Sequence, residues 1–129
     1  MTETIRQKVH FKAHPKKIYK MLMNSKMHSA FTGDKAVISK EVTGKISAYS
    51  GWIEGENIKL IEGKKIVQKW RGADWPKGIY STVTFNLKKA KDGGTDLEFT
   101  HVGVPEKYVA DITDGWKTQY WTKIKKYLG

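Results

Sequence analysis

Apolar positions along the chain repeat with two periods, and the switches between them outline the fold. Ile5, Gln7, Val9 and Phe11 alternate with Arg6, Lys8, His10 and Lys12, the period of a half-buried strand. His14-Pro15 then opens a helix, with proline near the first helical position, where its missing N–H costs nothing. Ile18, Tyr19, Leu22 and Met23 form its apolar face. Asn24-Ser25 closes it, and Ser25 is expected to cap a second short helix from Met27 to Phe31, ended by Thr32-Gly33-Asp34. From there turn signals arrive at strand spacing: Gly44, Gly51, Gly55, Glu62-Gly63-Lys64, Trp75-Pro76-Lys77-Gly78 and Asp92-Gly93-Gly94. They divide the chain into Ala36–Val42, Lys45–Ser50, Trp52–Leu60, Lys65–Arg71, Ile79–Leu87 and Thr95–Val102, six further strands whose short connections predict an antiparallel meander. Gly51 and Gly55, set inside apolar stretches, suggest bends or bulges that let a sheet curl.

After Val104-Pro105-Glu106 and a short turn over Lys107–Ala110, the period changes for the last time. Ile112, Trp116, Tyr120, Ile124, Tyr127 and Leu128 share one helical face, with Lys123, Lys125 and Lys126 towards or on the other. From Ile112 to Leu128 such a helix runs roughly 25 Å, enough to cross a small domain. Gly115 is expected to let the sheet approach it closely. The strand parities point Ile79, Ser81, Val83, Phe85 and Leu87 to one side, Leu97, Phe99 and His101 likewise, and Ile66, Gln68 and Trp70 likewise. These rows are apolar except for Ser81, Gln68 and His101. The prediction is an α+β protein, a curved antiparallel sheet of about seven strands folded around its closing helix.

Composition narrows this picture. A chain of 129 residues, 39% hydrophobic and 29% charged, is enough for one domain with a substantial core. It holds no apolar run long enough for a membrane span and opens on Met1-Thr-Glu-Thr-Ile-Arg6, without a signal region, so a cytoplasmic protein is expected. The absence of cysteine removes disulfides, thiolate catalysis and cysteine-based zinc sites. A net charge of +11 invites a nucleic-acid reading, but only Arg6 and Arg71 are arginine and the lysines are spread over every element. A solvated lysine-rich surface accounts for the charge, and nucleic acid is not an expected partner.

Several stretches, in order, carry a resemblance: His28-Ser-Ala-Phe-Thr-Gly33, Lys65-Ile-Val-Gln-Lys-Trp-Arg71, Asp74-Trp-Pro-Lys-Gly78, Tyr80-Ser-Thr-Val-Thr-Phe85, Thr100-His-Val-Gly-Val-Pro105, and Gly115-Trp116 with Tyr120-Trp121. Together they resemble the C-terminal domain of the activator-of-heat-shock-protein-90-ATPase homologue family, within the START-like (SRPBCC, Bet v 1-like) superfamily. The resemblance runs from about position 5 to the end. It implies a helix-grip fold and an apolar cavity between sheet and helix, and it raises a chaperone as a possible partner. The family's chaperone-binding members carry a further N-terminal domain that supplies much of that contact. This sequence starts on the strand of the C-terminal domain, so a binding domain without that half is expected.

Candidate chemistry is thin. His101 is the best polar candidate, either meeting a ligand or simply satisfied at a strand end. His10 and His14 straddle a strand end and a helix start and do not make a metal site. No serine sits in a nucleophile elbow and no glycine loop precedes a helix as phosphate sites require. Glu54 with Glu56, and Asp111 with Asp114, are spaced as carboxylate pairs and equally as solvated faces. The aromatics carry more. Trp70, Trp75, Trp116 and Tyr120, with Phe31, Gln68, Ser81 and His101, are positioned either to line an apolar ligand pocket or to fill the interior outright. The expected function is therefore a non-catalytic binding domain, monomer or weak dimer, for a small hydrophobic or lipid-like ligand, with no cofactor. A chaperone-binding module and, more distantly, a cyclase-like enzyme are the alternatives.

Overall fold

A computed structural model describes residues 1–129. Strand β1 (Thr2–Phe11) leads into helices α1 (Pro15–Met23) and α2 (Ser25–Thr32). Six strands follow: β2 (Val37–Ile38), β3 (Lys45–Ala48), β4 (Ile53–Ile61), β5 (Lys65–Gly72), β6 (Ser81–Lys89) and β7 (Thr95–Pro105). Together they form a seven-stranded antiparallel sheet in the order β1-β7-β6-β5-β4-β3-β2. The chain closes with a continuous helical run made of α3 (Val109–Gly115), a π-helical segment (Trp116–Trp121) and α4 (Thr122–Leu128). This is the helix-grip architecture, and no helix is long and apolar enough to cross a membrane.

The inward rows follow strand parity. Ile66, Gln68 and Trp70 on β5, Ser81, Val83, Phe85 and Leu87 on β6, and Leu97, Phe99 and His101 on β7 are all buried. Burying each large apolar side chain stabilises the fold by roughly 1.5–3 kcal/mol. The local hydrogen bonds differ from expectation at several points. Asn24, not Ser25, caps α2: its Oδ1 accepts from Met27 N at 3.0 Å. Ser25 instead accepts from Ile38 N at 2.8 Å and ties β2 to the helix. The strand expected over Ala36–Val42 shrinks to two residues, because the chain from Ser39 onward turns around the buried amide of Asn57. Its Nδ2 donates to Ser39 O (2.7 Å) and Glu41 O (2.9 Å).

β6 starts at Ser81 rather than Ile79, which is engaged in the turn by a bond from its N–H to Pro76 O and is exposed. The bulges fall between Glu3 and Ile5 and between Asn57 and Lys59, not at Gly51 or Gly55. Gly55 serves close approach instead. A Cβ there would stand 1.8 Å from Lys69 O of the neighbouring strand.

The closing helix departs most from its expected face. Ile112, Trp116, Tyr120 and Ile124 are buried, but so is Trp121, while Tyr127 is exposed. The π segment is the reason. Its bonds run from residue i to i−5, as from Thr122 N to Lys117 O. That widened turn brings residues five apart into line, so Trp121 stacks on Trp116 at 5.6 Å between ring centroids and 20° between planes. Gln7 on β1 holds the arrangement from across the interior, accepting from Trp121 Nε1 (2.5 Å) and donating to Thr113 O (3.1 Å).

Candidate functional site

Two spaces remain between sheet and helix, and they differ greatly in size. The enclosed one, walled in part by Gln68, Trp70, Trp116 and Tyr120, measures about 20 Å³, room for a single water. The other is an open cleft of about 290 Å³ at one end of the helix. The turn after β3 supplies Tyr49 and Trp52 to it, β4 supplies Ile53 and β5 supplies Trp70. The loop before β6 contributes Asp74 and Trp75, and the turn before α3 contributes Tyr108. The closing helix adds Asp111, Ile112, Gly115, Trp116, Gln119 and Tyr120.

The loop carrying Trp75 is held by Arg71, whose guanidinium donates from Nη2 to Trp75 O (2.5 Å) and from Nη1 to Glu54 (3.1 Å). Tyr108 Oη donates to Asp74 O at 3.0 Å, joining that loop to the start of the helix. With the backbone fixed at both ends, Trp75 stacks on Tyr108 (5.8 Å, 19°) and meets Trp70 edge-on (5.4 Å). Gly115 lines the cleft and touches nothing: a Cβ there would have no neighbour within 4 Å. The close approach of the sheet expected at Gly115 does not occur, because the cleft separates them.

Of the residues expected to form a pocket, Trp70, Trp75, Trp116 and Tyr120 line this cleft. His101 and Ser81 lie behind Trp70 and Trp116 in the packed interior, His101 with its ring 4.8 Å from Trp70 and 5.9 Å from Trp116. Gln68 faces away from the cleft and donates to Asn57 Oδ1 (3.0 Å), supporting the turn after β2. Phe31 packs on the far side of Tyr120 at 5.8 Å. Sequence reasoning missed Tyr49, Trp52, Tyr108, Asp74, Asp111 and Gln119. The signal for the first two is the aromatic spacing in Tyr49-Ser-Gly-Trp52, which the strand pattern splits between Lys45–Ser50 and Trp52–Leu60.

The buried histidines have fixed protonation. Trp116 Nε1 donates to His101 Nδ1 at 3.0 Å. An indole N–H can only donate, so Nδ1 holds the lone pair and Nε2 carries the proton, which goes to Ser81 Oγ at 2.7 Å. Ser81 in turn donates to Trp70 O at 2.8 Å. This serine–histidine pair therefore runs opposite to a catalytic dyad: the histidine's lone pair is occupied by Trp116 and the serine's proton by a carbonyl. Burial pushes His101 down to about 3, so it is neutral across the physiological range.

His28, on α2, repeats the pattern. Its Nδ1 donates to Leu22 O (3.0 Å), leaving Nε2 to accept from Tyr120 Oη (2.8 Å). Burial lowers the His28 pKa, partly offset by the Leu22 carbonyl, and raises that of Tyr120 well above the usual tyrosine range, with Tyr49 adding to it. All of these polar atoms are satisfied within the protein. They specify packing, and none is free to face a ligand.

The matches to known proteins follow the same architecture. A family model described as Activator of Hsp90 ATPase homolog 1-like protein matches residues 12–129. The activator of 90 kDa heat shock protein ATPase homolog of Dictyostelium discoideum is 34% identical over 124 residues, covering 96% of this chain and 32% of that protein. The human activator homolog 1 is 30% identical over 119 residues, covering 92% and 35%. The chain thus spans about a third of the length of the curated relatives it matches. Among solved structures, an HSP90 activator from Plasmodium falciparum superposes with a TM-score of 0.91 at 28% identity, covering 98% of this chain and 96% of that one. The Aha1 dimer from Colwellia psychrerythraea shares the fold, with a TM-score of 0.81 at 21% identity and coverage of 95% and 93%. With its strand order, its closing helix and nearly its whole length accounted for in this way, the chain belongs to the Activator of Hsp90 ATPase homolog 1-like protein family.

Proposed function

We propose that this chain is a chaperone-directed interaction module, one that associates with a heat-shock protein 90 and alters its ATP turnover. The observation that carries the reading is the end-to-end match with the Plasmodium falciparum activator, in which neither chain leaves more than a few per cent uncovered. The nearly filled interior supports it: His101 and His28 are satisfied within the protein and the enclosed void is only about 20 Å³, which leaves the outer surface for recognition. The net charge of +11 favours an acidic surface on the partner and an association that weakens with salt. The test is the steady-state ATPase rate of the host's own heat-shock protein 90, titrated with this chain, alongside co-sedimentation. Saturable binding with a change in rate is expected. No association at tens of micromolar in low salt would overturn the reading.

The open cleft favours a second reading, a small apolar ligand held among Trp70, Trp75, Trp116 and Tyr120, with His101, Ser81, Gln68 and Phe31 as the packed support behind them. Its volume lies at the lower edge of the range of about 300–1,000 Å³ usual for ligand sites. A panel of apolar ligands followed by tryptophan fluorescence tests this, and the absence of any saturable change would remove it.

A further inference from the structure

The charge on the cleft is opposite to that of the molecule. The chain carries 24 lysines and arginines against 13 acidic residues. Yet the only charged side chains lining the cleft are two carboxylates, Asp74 and Asp111, and no cationic residue lines it. Neither aspartate takes part in an ion pair; the four salt bridges of the chain join other residues. The remaining walls are dominated by aromatic rings, whose faces carry the negative end of the ring quadrupole.

Two irregular stretches of backbone also meet here. Tyr49, Ser50 and Gly51 lie in succession in the left-handed region, at φ 51°, 55° and 95°. Two of these are not glycine, a conformation that costs free energy and persists only when neighbours enforce it. The enforcing bonds are Ser50 N to Lys35 O (2.9 Å), Ser50 Oγ to the Asp34 carboxylate, and Tyr49 Oη to Gln119 O (2.5 Å). Their result is to hold Tyr49 and Trp52 at the mouth. The facing wall is the π segment, a second irregular stretch, which presents Trp116 and Tyr120. Strained backbone and π-helical turns both concentrate at functional sites.

We propose that this cleft binds a small organic cation, an alkylammonium with an apolar body, its charge set between Asp74 and Asp111 and its body against Trp52, Trp70, Trp75 and Tyr108. Cation–π attraction and two unpaired carboxylates act together at such a site, as in aromatic cages for quaternary ammonium groups. Two of the lining rings already meet ammonium groups of the chain itself: Lys123 Nζ lies 5.2 Å from the Tyr49 centroid and Lys107 Nζ 5.7 Å from that of Tyr108. The net positive charge of the chain opposes approach of a cation at long range, so recognition rests on these local groups. This inference deepens the small-ligand reading of the cleft and is independent of chaperone binding.

Three probes of similar size separate the possibilities: benzyltrimethylammonium, benzyl alcohol and phenylacetate, titrated while following the indole N–H resonances of Trp75 and Trp116 and the tryptophan emission. The cation is expected to bind saturably, about tenfold or more tighter than benzyl alcohol, a ratio worth ~1.4 kcal/mol. Asp74→Asn with Asp111→Asn is expected to erase that preference while leaving the weak binding of benzyl alcohol unchanged. Both side chains are exposed, so the fold should persist; thermal melting checks this, and Asp111→Asn alone serves if the double variant melts early. Equal or tighter binding of benzyl alcohol or phenylacetate overturns the cation inference and leaves the small-ligand reading standing. So does a cation preference that survives the substitutions. Failure of all three probes to bind overturns both.

Discussion

Aromatic side chains furnish both ends of the space under the closing helix, and they behave differently at the two. At the β1–β7–β6 end, Phe85, Phe99 and Trp121 close on one another, Phe99 meeting Trp116 at 4.5 Å and Trp121 at 5.2 Å. There Phe85 and Phe99 come from paired strands in fixed register, and the π segment lays Trp121 against them, so the rings interdigitate and leave no void. At the other end most of the rings come from turns, Tyr49 and Trp52 after β3, Trp75 before β6 and Tyr108 before α3. Turns set each ring by its own hydrogen bonds, not by a shared ladder, and a cleft of about 290 Å³ stays open between them. The same residue types therefore make a core where strand pairing sets the rings and a recess where turns set most of them.

That contrast can be broken most directly by truncating one ring that packs into the core and one at the mouth of the cleft. Trp116→Ala, at 3% exposure and touching both regions, is expected to cost about 3–5 kcal/mol in urea unfolding. Trp52→Ala, 40% exposed at the mouth, is expected to cost about 1 kcal/mol or less. Similar losses for the two would mean that the cleft is as closely packed as the core.

Acid tests the packed end alone. His101 has a folded pKa pushed down to about 3 against about 6.5 unfolded, so the unfolded chain binds the extra proton first. Its contribution is fully present above pH ~6.5 and is lost as pH falls from there towards 3. The slope is about 1.4 kcal/mol per pH unit, or about 2–3 kcal/mol between pH 6.5 and 4.5. His28, also lowered by burial, adds in the same direction. His10 works with the opposite sign. Its bond to Asp96, with a second to Asp92, raises its pKa, so its contribution is present below about 6.5 and lost as pH rises through the raised value. Chemical denaturation at a series of pH values should show the slope reduced in His101→Asn.

Ser81→Ala leaves the His101 Nε2–H without a partner in a dry interior and is expected to cost about 1–3 kcal/mol. The loss should be restored in part by Ser81→Thr, measured in the same unfolding assay. The smallest effect lies away from both ends. Asn24→Ala removes the cap of α2 at a cost of about 1 kcal/mol, and Asn24→Ser, which keeps an accepting oxygen, should restore most of it. Thermal melting of the two variants checks this; an equal loss in both would mean that Asn24 does not cap the helix.

Much of the interior was legible because alternation is a local property of the chain. Ile66-Gln68-Trp70 and Leu97-Phe99-His101 point inward wherever the strand pairs, and both rows are buried. Trp121 was not legible, since at the ordinary helical period it falls off the apolar face, and only the widened π turn brings it under Trp116. Nor was the pairing of the buried Asn57 with Gln68 on the adjacent strand legible. Their bond, and the loop that Asn57 anchors, depend on a register shift in β4 that no local pattern announces.

What the sequence by itself determined is the order of elements and the inward rows of the sheet, which follow from periodicity and turn chemistry within short windows. It also determined the family, which follows from the resemblance of six short stretches in order. What only the tertiary structure decided is which aromatic residues pack and which stand apart. That outcome depends on rings from turns far apart in the chain meeting at one end of a helix. Their separation is set by long-range hydrogen bonds such as Tyr49 Oη to Gln119 O and Tyr108 Oη to Asp74 O, not by the residues on either side of them.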